Sequence, residues 1–116
     1  MSDQNKQTLL KANAAVTAGD HGGFLKYCTE DVVWNFVGDR ILKGKEAVQN
    51  YMQETYIQPP EFNIETITAD GDFVTAVGSI SLKEKEGKTN RYEYCDVWKF
   101  RDGLMAELKA FVIEIK

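Results

Sequence analysis

Residues 91–115 contain the feature that most restricts how this chain can fold. It consists of two runs in which the character of the side chains alternates from residue to residue, joined by a tight turn. The runs, residues 91–100 and 104–115, flank Asp102-Gly103, and Asp-Gly between alternating runs is a strong hairpin signal. Because side chains alternate faces along a strand, the even positions of both runs share one face. The sequence therefore predicts a long antiparallel hairpin whose two faces differ in character.

The predicted inner face of this hairpin combines large aromatic groups, one acid and small residues. On the first strand it holds Tyr92, Tyr94, Asp96, Trp98 and Phe100. On the second strand it holds Leu104, Ala106, Leu108, Ala110 and Val112. Large groups opposite small ones indicate a lined hollow, in which an acid is costly to ionise unless it is paired. Asp96 is therefore the first candidate for a functional residue.

Composition limits the class of protein. The chain fits a single domain over residues 1–116, and 43% hydrophobic with 28% charged residues is typical of globular proteins. A net charge of −4 without a basic cluster argues against nucleic acid as a partner. No apolar run approaches the length of a membrane span, and the polar N-terminal residues do not resemble a secretory signal. The sequence has only two cysteines, which a cytoplasmic chain usually keeps reduced. We therefore expect a cytoplasmic protein without a membrane partner.

The rest of the sequence predicts helices followed by further strands. The helices are expected at residues 4–18, 21–28 and 45–54. The strands outside the hairpin are expected at residues 32–37, 62–69 and 73–85. Two polar segments are interpreted as a break and a turn, Thr29-Glu30-Asp31 and Gly38-Asp39-Arg40. The predicted fold class is α+β, with a strongly curved antiparallel sheet and three helices enclosing a cone-shaped apolar pocket, in the order α-α-β-α-β-β-β-β.

Three stretches of the sequence carry a resemblance to a known family. They include Thr17-Ala18-Gly19-Asp20, Lys43-Gly44-Lys45-Glu46-Ala47-Val48 and Tyr94-Cys95-Asp96-Val97-Trp98. In their order and spacing they resemble the nuclear transport factor 2-like superfamily, in its SnoaL-like and ketosteroid-isomerase-like branch. The resemblance implies a cystatin-like topology around a deep apolar pocket, and usually a dimer. It leaves function open, because this fold hosts isomerases, polyketide cyclases, epoxide hydrolases, dehydratases and non-catalytic modules.

The resemblance also assigns catalytic positions. Asp96 matches the aspartate that stays protonated and donates to the substrate oxygen in ketosteroid isomerases, an enzyme class that serves as a standard example of a neutral acid. The tyrosine donor of those enzymes corresponds to Ala12 here, and their general base to Phe36. A steroid isomerase mechanism that needs that base is therefore disfavoured.

For two other activities of the superfamily, the resemblance disfavours epoxide hydrolysis and is compatible with cyclisation. The arginine of limonene-epoxide-hydrolase-like members corresponds to Tyr94, and no carboxylate occurs near Lys109-Ala110-Phe111, where their second acid would lie. Cyclase-type members use one pocket aspartate as acid and base with polar neighbours. Asp96 with Tyr94 and Tyr92 is compatible with such chemistry.

These considerations give a set of candidate site residues. Asp96 and Tyr94 are the candidate catalytic residues, and the candidate ligand-binding residues are Trp34, Phe36, Tyr92, Trp98, Leu108, Ala110 and Val112. For each, the competing interpretation is ordinary packing in the pocket wall or the core. His21 is expected to be a solvated surface residue, and Cys28 and Cys95 small packing residues. The sequence contains no ligand spacing for a metal, and no cofactor is expected.

The expected function follows from these residues. The chain is predicted to bind a small apolar molecule in its pocket, with isomerase, cyclase or dehydratase chemistry at Asp96. The alternative is a non-catalytic ligand-binding or dimerisation module of the same fold. The odd positions Phe111, Ile113 and Ile115 would form an apolar patch on the outer sheet face, which predicts a homodimer through that face.

Overall fold

The computed structural model describes residues 2–56, 58–83 and 86–115. The helices are α1 Ser2–Thr17, α2 His21–Leu25 and α3 Lys45–Thr55. The strands are β1 Cys28–Phe36, β2 Arg40–Lys43, β3 Glu61–Asp70, β4 Phe73–Lys83, β5 Thr89–Arg101 and β6 Leu104–Ile115. No helix within the described ranges is long and apolar enough to cross a membrane.

The six strands form one curved sheet in the order β2-β1-β6-β5-β4-β3. Only the β1–β6 pair is parallel among these neighbours, and β3 to β6 form the antiparallel meander that the sequence predicts. Helix α1 packs against β3, β4 and β6, while α3 packs against β1 and β2. The predicted α+β class is confirmed, and the helices lie over the face of the sheet that carries the candidate site residues.

One strand was missed by the sequence-based prediction. The turn expected at Gly38-Asp39-Arg40 is confined to residues 37–39, and Arg40 already belongs to β2, where it pairs with Phe36. This strand has four residues, is largely exposed and lies at the sheet edge. A segment that short offers no period long enough to recognise, which explains the error.

The predicted break at Thr29-Glu30-Asp31 is also wrong, because these residues lie inside β1. The two carboxylates of this segment form ion pairs at the protein surface and do not end the strand. The Lys45 ammonium lies 3.2 Å from a carboxylate oxygen of Glu30, and the Arg101 guanidinium donates to Asp31 at 2.6 Å. The ladder to β6 shifts register between Cys28 and Val33, and this irregular part of β1 accommodates the polar residues. Because the strand starts early, α2 ends at Leu25 rather than at residue 28.

A bulge at the start of β6 changes which residue is buried. Lys99 pairs with Glu107 but Phe100 pairs with Met105, so Ala106 is an extra residue in the ladder. Met105 is therefore completely buried, whereas Leu104, which was expected on the inner face, is exposed. Beyond the bulge the even positions of β6 face inward as predicted.

Candidate active site

Asp96 lies in a row of cross-strand neighbours that leaves space around its carboxyl group. In the sheet, Asp96 is opposite Ala76 of β4 and Ala110 of β6, and Ala110 is in turn opposite Phe36 of β1. Directly opposed side chains in a sheet are close enough to fill each other's space, but alanine offers only a methyl group. The methyl group of Ala110 therefore leaves a hollow beside the acid, and Phe36 forms its far edge.

This hollow is part of a cavity of about 390 Å³ between the sheet and the helices. Its wall includes all nine candidate site residues: Trp34, Phe36, Tyr92, Tyr94, Asp96, Trp98, Leu108, Ala110 and Val112. The helices contribute Asn13, Val16, Phe24, Tyr51 and Thr55, with Tyr56 directly after α3. The structure thus brings the predicted residues together around one space, while their catalytic and ligand-binding roles stay predictions.

The Asp96 carboxyl group is partly buried. None of the hydrogen bonds or ion pairs between described residues involves its side chain. Burial raises the pKa of Asp96 from 3.8 to about 7. The cause is loss of water around the charged form, since no described residue pairs with it to favour ionisation. Near neutral pH the group therefore exists in both forms, which suits a residue that gives and accepts protons.

Tyr94, the other candidate catalytic residue, is more enclosed than Asp96. Its hydroxyl is buried without a hydrogen-bond partner among the residues that the structure describes, and its ring packs edge-on against Phe62 at 6.3 Å between centroids. Burial, then the charge of Asp96 and of Glu65, raises the pKa of Tyr94 to about 12. The hydroxyl is thus a neutral donor at physiological pH. Trp34 has a similar feature, because its indole nitrogen is also buried and no described residue accepts a hydrogen bond from it.

Tyr56 belongs to the cavity wall but was not among the predicted site residues. It follows the last residue of α3 with φ −94° and ψ 63°, outside the helical region, so the helix period does not indicate where its side chain points. Burial, then the nearby Tyr51 and Asp96, raises the pKa of Tyr56. His21, expected to be solvated, is instead half-buried and lies edge-on to the Tyr56 ring at 6.4 Å between centroids.

The positions that the sequence resemblance matches to the other catalytic groups of ketosteroid isomerases carry no acid or donor. Ala12 is completely buried in α1 and does not line the cavity, and Phe36 presents an apolar ring to it. The polar side chain that α1 does place on the cavity wall is the next residue, Asn13.

The mouth of the cavity carries two carboxylates, Asp39 and Glu114. Arg40 lies 3.5 Å from Asp39, measured from its Nε to a carboxylate oxygen, and its guanidinium lies 5.8 Å from the centre of the Tyr51 ring. Within the described residues, no three His, Cys, Asp or Glu side chains form a group that could hold a metal ion.

The two cysteines occupy different environments. Cys28 is buried, its thiol donates to the carbonyl of Phe24 at 3.9 Å, and burial raises its pKa to about 12. Such a thiol is a packing group rather than a nucleophile. Cys95 lies on the outer face of the sheet, between Val77 and Phe111 on the neighbouring strands.

The outer sheet face exposes the apolar patch that the sequence indicates. Phe111, Ile113 and Ile115 are 41%, 67% and 44% exposed, and Val77 on β4 is also exposed. We call Val77, Cys95, Phe111 and Ile113 the outer apolar patch, since they lie on adjacent strands β4, β5 and β6. An apolar surface of this kind is typical of an interaction site.

Comparison with known proteins gives both a family and a fold. Residues 9–108 match the family model of the SnoaL-like domain, whereas no curated protein matches the sequence. An NTF2-like protein of unknown function from Burkholderia pseudomallei K96243 is 18% identical, with a TM-score of 0.81 over 95% of this chain and 90% of that chain. At this level of identity the structural similarity shows the fold alone.

Two further solved structures have the same fold. TerC, co-crystallised with polyporic acid, is 17% identical, with a TM-score of 0.81 over 93% of this chain and 90% of its own. An epoxide hydrolase/cyclase-like enzyme with a role in pyran ring formation in the polyether salinomycin is 16% identical, with a TM-score of 0.87 over 95% and 91%. These comparisons agree with the architecture derived from the strand pairing.

Proposed function

Because the chain belongs to the SnoaL-like domain family, we propose that it binds a small apolar carbonyl compound in its cavity and that Asp96 moves a proton on it. The observation that carries this proposal is an acid on the wall of an aromatic cavity that no described residue pairs with, and whose pKa burial raises to about 7. A perturbed acid in a cleft is a typical feature of acid/base sites.

In such a reaction a single carboxyl group can both accept the proton and return it. In its ionised form Asp96 accepts a proton from a carbon next to the carbonyl group, where the charge that develops spreads onto the carbonyl oxygen. In its acid form it returns that proton to another carbon, to an alkoxide formed by ring closure, or to a departing hydroxyl group. These three outcomes correspond to an isomerase, a cyclase and a dehydratase, and none needs a second base.

The remaining wall residues are proposed to hold the ligand. Trp34, Phe36 and Trp98 offer flat apolar faces, while Leu108, Ala110 and Val112 complete the apolar wall. Tyr94 and Tyr92 lie on the same strand as Asp96, and we propose that Tyr94 assists it electrostatically. The co-crystallised polyporic acid of TerC and the cyclase-like role of the salinomycin enzyme are consistent with organic ligands in this fold.

The alternative is a ligand-binding or dimerisation module without chemistry. It is favoured by the absence of an acid or a donor at Phe36 and Ala12, the positions that correspond to the base and donor of related isomerases. A cytoplasmic location belongs to both versions of the proposal and is consistent with two free cysteines.

A thermal-shift screen with steroids, polyketide fragments, aromatic acids and aromatic ketones such as α-tetralone tests the proposal. We expect ketones to raise the melting temperature of the wild-type protein, since they fill an otherwise hydrated apolar space. In the Asp96→Asn protein the same ketones should bind with altered affinity, because the carboxyl group beside the bound ketone has become a carboxamide. Turnover of a binding ketone, followed as exchange of its α-hydrogens for deuterium, should be lost in this variant.

The outcomes separate the two versions of the proposal. Asp31→Asn, on the protein surface, is the matched control and should leave both binding and exchange unchanged. Ketone binding without deuterium exchange in the wild type supports the module, whereas the absence of any ligand-induced shift contradicts a binding cavity.

We also propose that the protein forms a two-fold homodimer through the outer apolar patch. The patch lies in the centre of a broad sheet face, and charged residues such as Glu93, Lys99 and Lys109 surround it. A two-fold contact buries the same surface on both copies and can oppose acids with bases at its rim.

Ile113→Glu is expected to convert this dimer into a monomer, because a carboxylate would have to be buried in the contact. Light scattering should give twice the 13.1 kDa chain mass for the wild type and one chain mass for the variant. Ile41→Glu is the matched control, since Ile41 is 56% exposed but lies on the edge strand β2. A monomeric wild-type protein at micromolar concentration would rule the dimer out.

A further inference from the structure

The charged side chains on the described part of the cavity wall are acidic. Asp39, Asp96 and Glu114 line the cavity, and none of the described residues that line it is a lysine, an arginine or a histidine. At the mouth, Arg40 lies 3.5 Å from Asp39 and offsets its charge. None of the ion pairs between described residues involves Asp96 or Glu114. This wall therefore offers counter-ions to a positive ligand but not to a negative one.

The aromatic rings of the wall can hold a cation as well as an apolar group. Six of them are Trp34, Phe36, Tyr51, Tyr56, Tyr92 and Trp98. The face of an aromatic ring attracts a cation, because its π-electrons carry partial negative charge. At the mouth the protein's own Arg40 already makes such a contact, with its guanidinium 5.8 Å from the centre of the Tyr51 ring. A cavity of about 390 Å³ has the volume for a small organic cation.

Asp96 and Tyr94 carry polar atoms on the wall that find no partner among the described residues. They lie two residues apart on the same face of β5, and Tyr94 is only 5% exposed. An ammonium group has three N–H donors, from which both a carboxylate and a hydroxyl oxygen can accept. An amine beside Asp96 would therefore supply a partner to both groups.

The other titratable side chains of the described wall do not neutralise a charge on Asp96. They are four tyrosines and two acids: Tyr51, Tyr56, Tyr92, Tyr94, Asp39 and Glu114. Burial raises the pKa of Tyr51, Tyr56 and Tyr94, so these phenols carry no charge near neutral pH. The parts of α1, α2, β3 and β4 that line the cavity contribute no titratable group, and His21, which is edge-on to Tyr56, does not line it. A positive charge beside Asp96 must therefore come from a ligand.

We propose that the cavity binds protonated arylalkyl amines, with the Asp96 carboxylate as their counter-ion and the aromatic wall around the ammonium group. The inference goes beyond the proposed function, because it requires neither a carbonyl group nor a proton transfer. An ammonium group favours the ionised form of Asp96, whereas an uncharged ligand that displaces water favours the protonated form. Amine binding should therefore depend on pH in a way that binding of an uncharged ligand does not.

Isothermal titration with three ligands that share one bicyclic ring tests this inference. Aminotetralin, tetralol and tetralin carboxylic acid, each substituted at the β-position of the saturated ring, carry a positive, no and a negative charge at pH 8. We expect the amine to bind at least about tenfold more tightly than the alcohol, and the carboxylate at least about tenfold more weakly. Between pH 8 and pH 5 the amine should lose about tenfold in affinity, because Asp96 gains a proton, while the alcohol should not weaken.

Two further measurements assign the effect to Asp96. Asp96→Asn should weaken aminotetralin binding about tenfold at pH 8 and remove its pH dependence, with little change for tetralol. Asp31→Asn is the matched control, since it makes the same change in net charge at the protein surface and should leave all three affinities unchanged. In the wild type at pH 7, titrations in buffers of different ionisation enthalpy should show release of about half a proton per bound amine.

Equal affinities of aminotetralin and tetralol at pH 8 would overturn the inference. So would a pH dependence of amine binding that persists in Asp96→Asn, because the carboxylates at the mouth would then be the counter-ions. Failure of the proposed function looks different, since the wild type would then bind aminotetralin but would neither bind α-tetralone nor exchange its α-hydrogens. Absence of binding by all three tetralin ligands would overturn both this inference and the binding cavity.

Discussion

The Asp96→Asn protein is expected to be more stable than the wild type at about pH 8, by up to about 4 kcal/mol. The physical reason is that the wild-type protein must keep a carboxylate in a cavity where none of the described residues pairs with it. The pKa of Asp96 rises from 3.8 to about 7 on folding, and each unit corresponds to about 1.4 kcal/mol. Asparagine has nearly the same shape and never carries the charge.

The sign of the pH dependence follows from proton binding. Between about pH 4 and about pH 7 the folded protein holds a proton on Asp96 that the unfolded chain has released. The contribution of Asp96 to the free energy of unfolding therefore falls as the pH rises through that interval, and this contribution is constant at higher pH. Urea unfolding of the wild type across this range should show the fall, and Asp96→Asn should lack this component. The tyrosines that face Asp96 have raised pKa values and stay neutral throughout.

Asp31→Asn is the control for the charge change itself. The hydrogen bond from Arg101 lowers the pKa of Asp31, so its contribution is present above the unfolded pKa and is lost only as the pH falls. This substitution should not remove the decline in stability between about pH 4 and about pH 7. If Asp96→Asn shows the same decline as the wild type, the carboxyl group is not desolvated in the cavity.

Much of this site could be predicted from the sequence because a strand alternates faces residue by residue. The Asp-Gly turn fixes the hairpin, and its register then puts Asp96 opposite Ala110 and Tyr94 opposite Val112. An aromatic face with one acid opposite small residues thus already indicates a hollow. The acid, the wall residues on β1, β5 and β6, and the exposed Ile113 all follow from that alternation.

What the sequence did not provide depends on contacts outside a regular period. Tyr56 follows a helix in a non-helical conformation, and its position is set by packing against Tyr51 and His21. The burial of Met105 instead of Leu104 results from a bulge that shifts the register of β6. Such features have no local sequence signal, because the surrounding tertiary structure stabilises both an inserted residue in a strand and a side chain at a helix end.

Ala110→Phe is expected to weaken binding of α-tetralone at least about a hundredfold, or about 2.7 kcal/mol. Ala110 separates Phe36 from Asp96 in the sheet, and its methyl group leaves open the space beside the acid. A benzyl group at this position would occupy that space. Because the space is a cavity rather than a packed core, stability should change by less than the roughly 1–3 kcal/mol that overpacking costs.

Lys109→Phe is the matched control, since it adds the same side chain one residue earlier on the exposed face of β6. Isothermal titration with α-tetralone, together with urea unfolding of each variant, separates blocked binding from lost structure. If the Ala110→Phe protein unfolds cooperatively and still binds α-tetralone as the wild type does, the ligand does not occupy the space beside Asp96. The proposal that Asp96 moves a proton on the ligand would then be contradicted, even if the cavity binds ligands at another part of its wall.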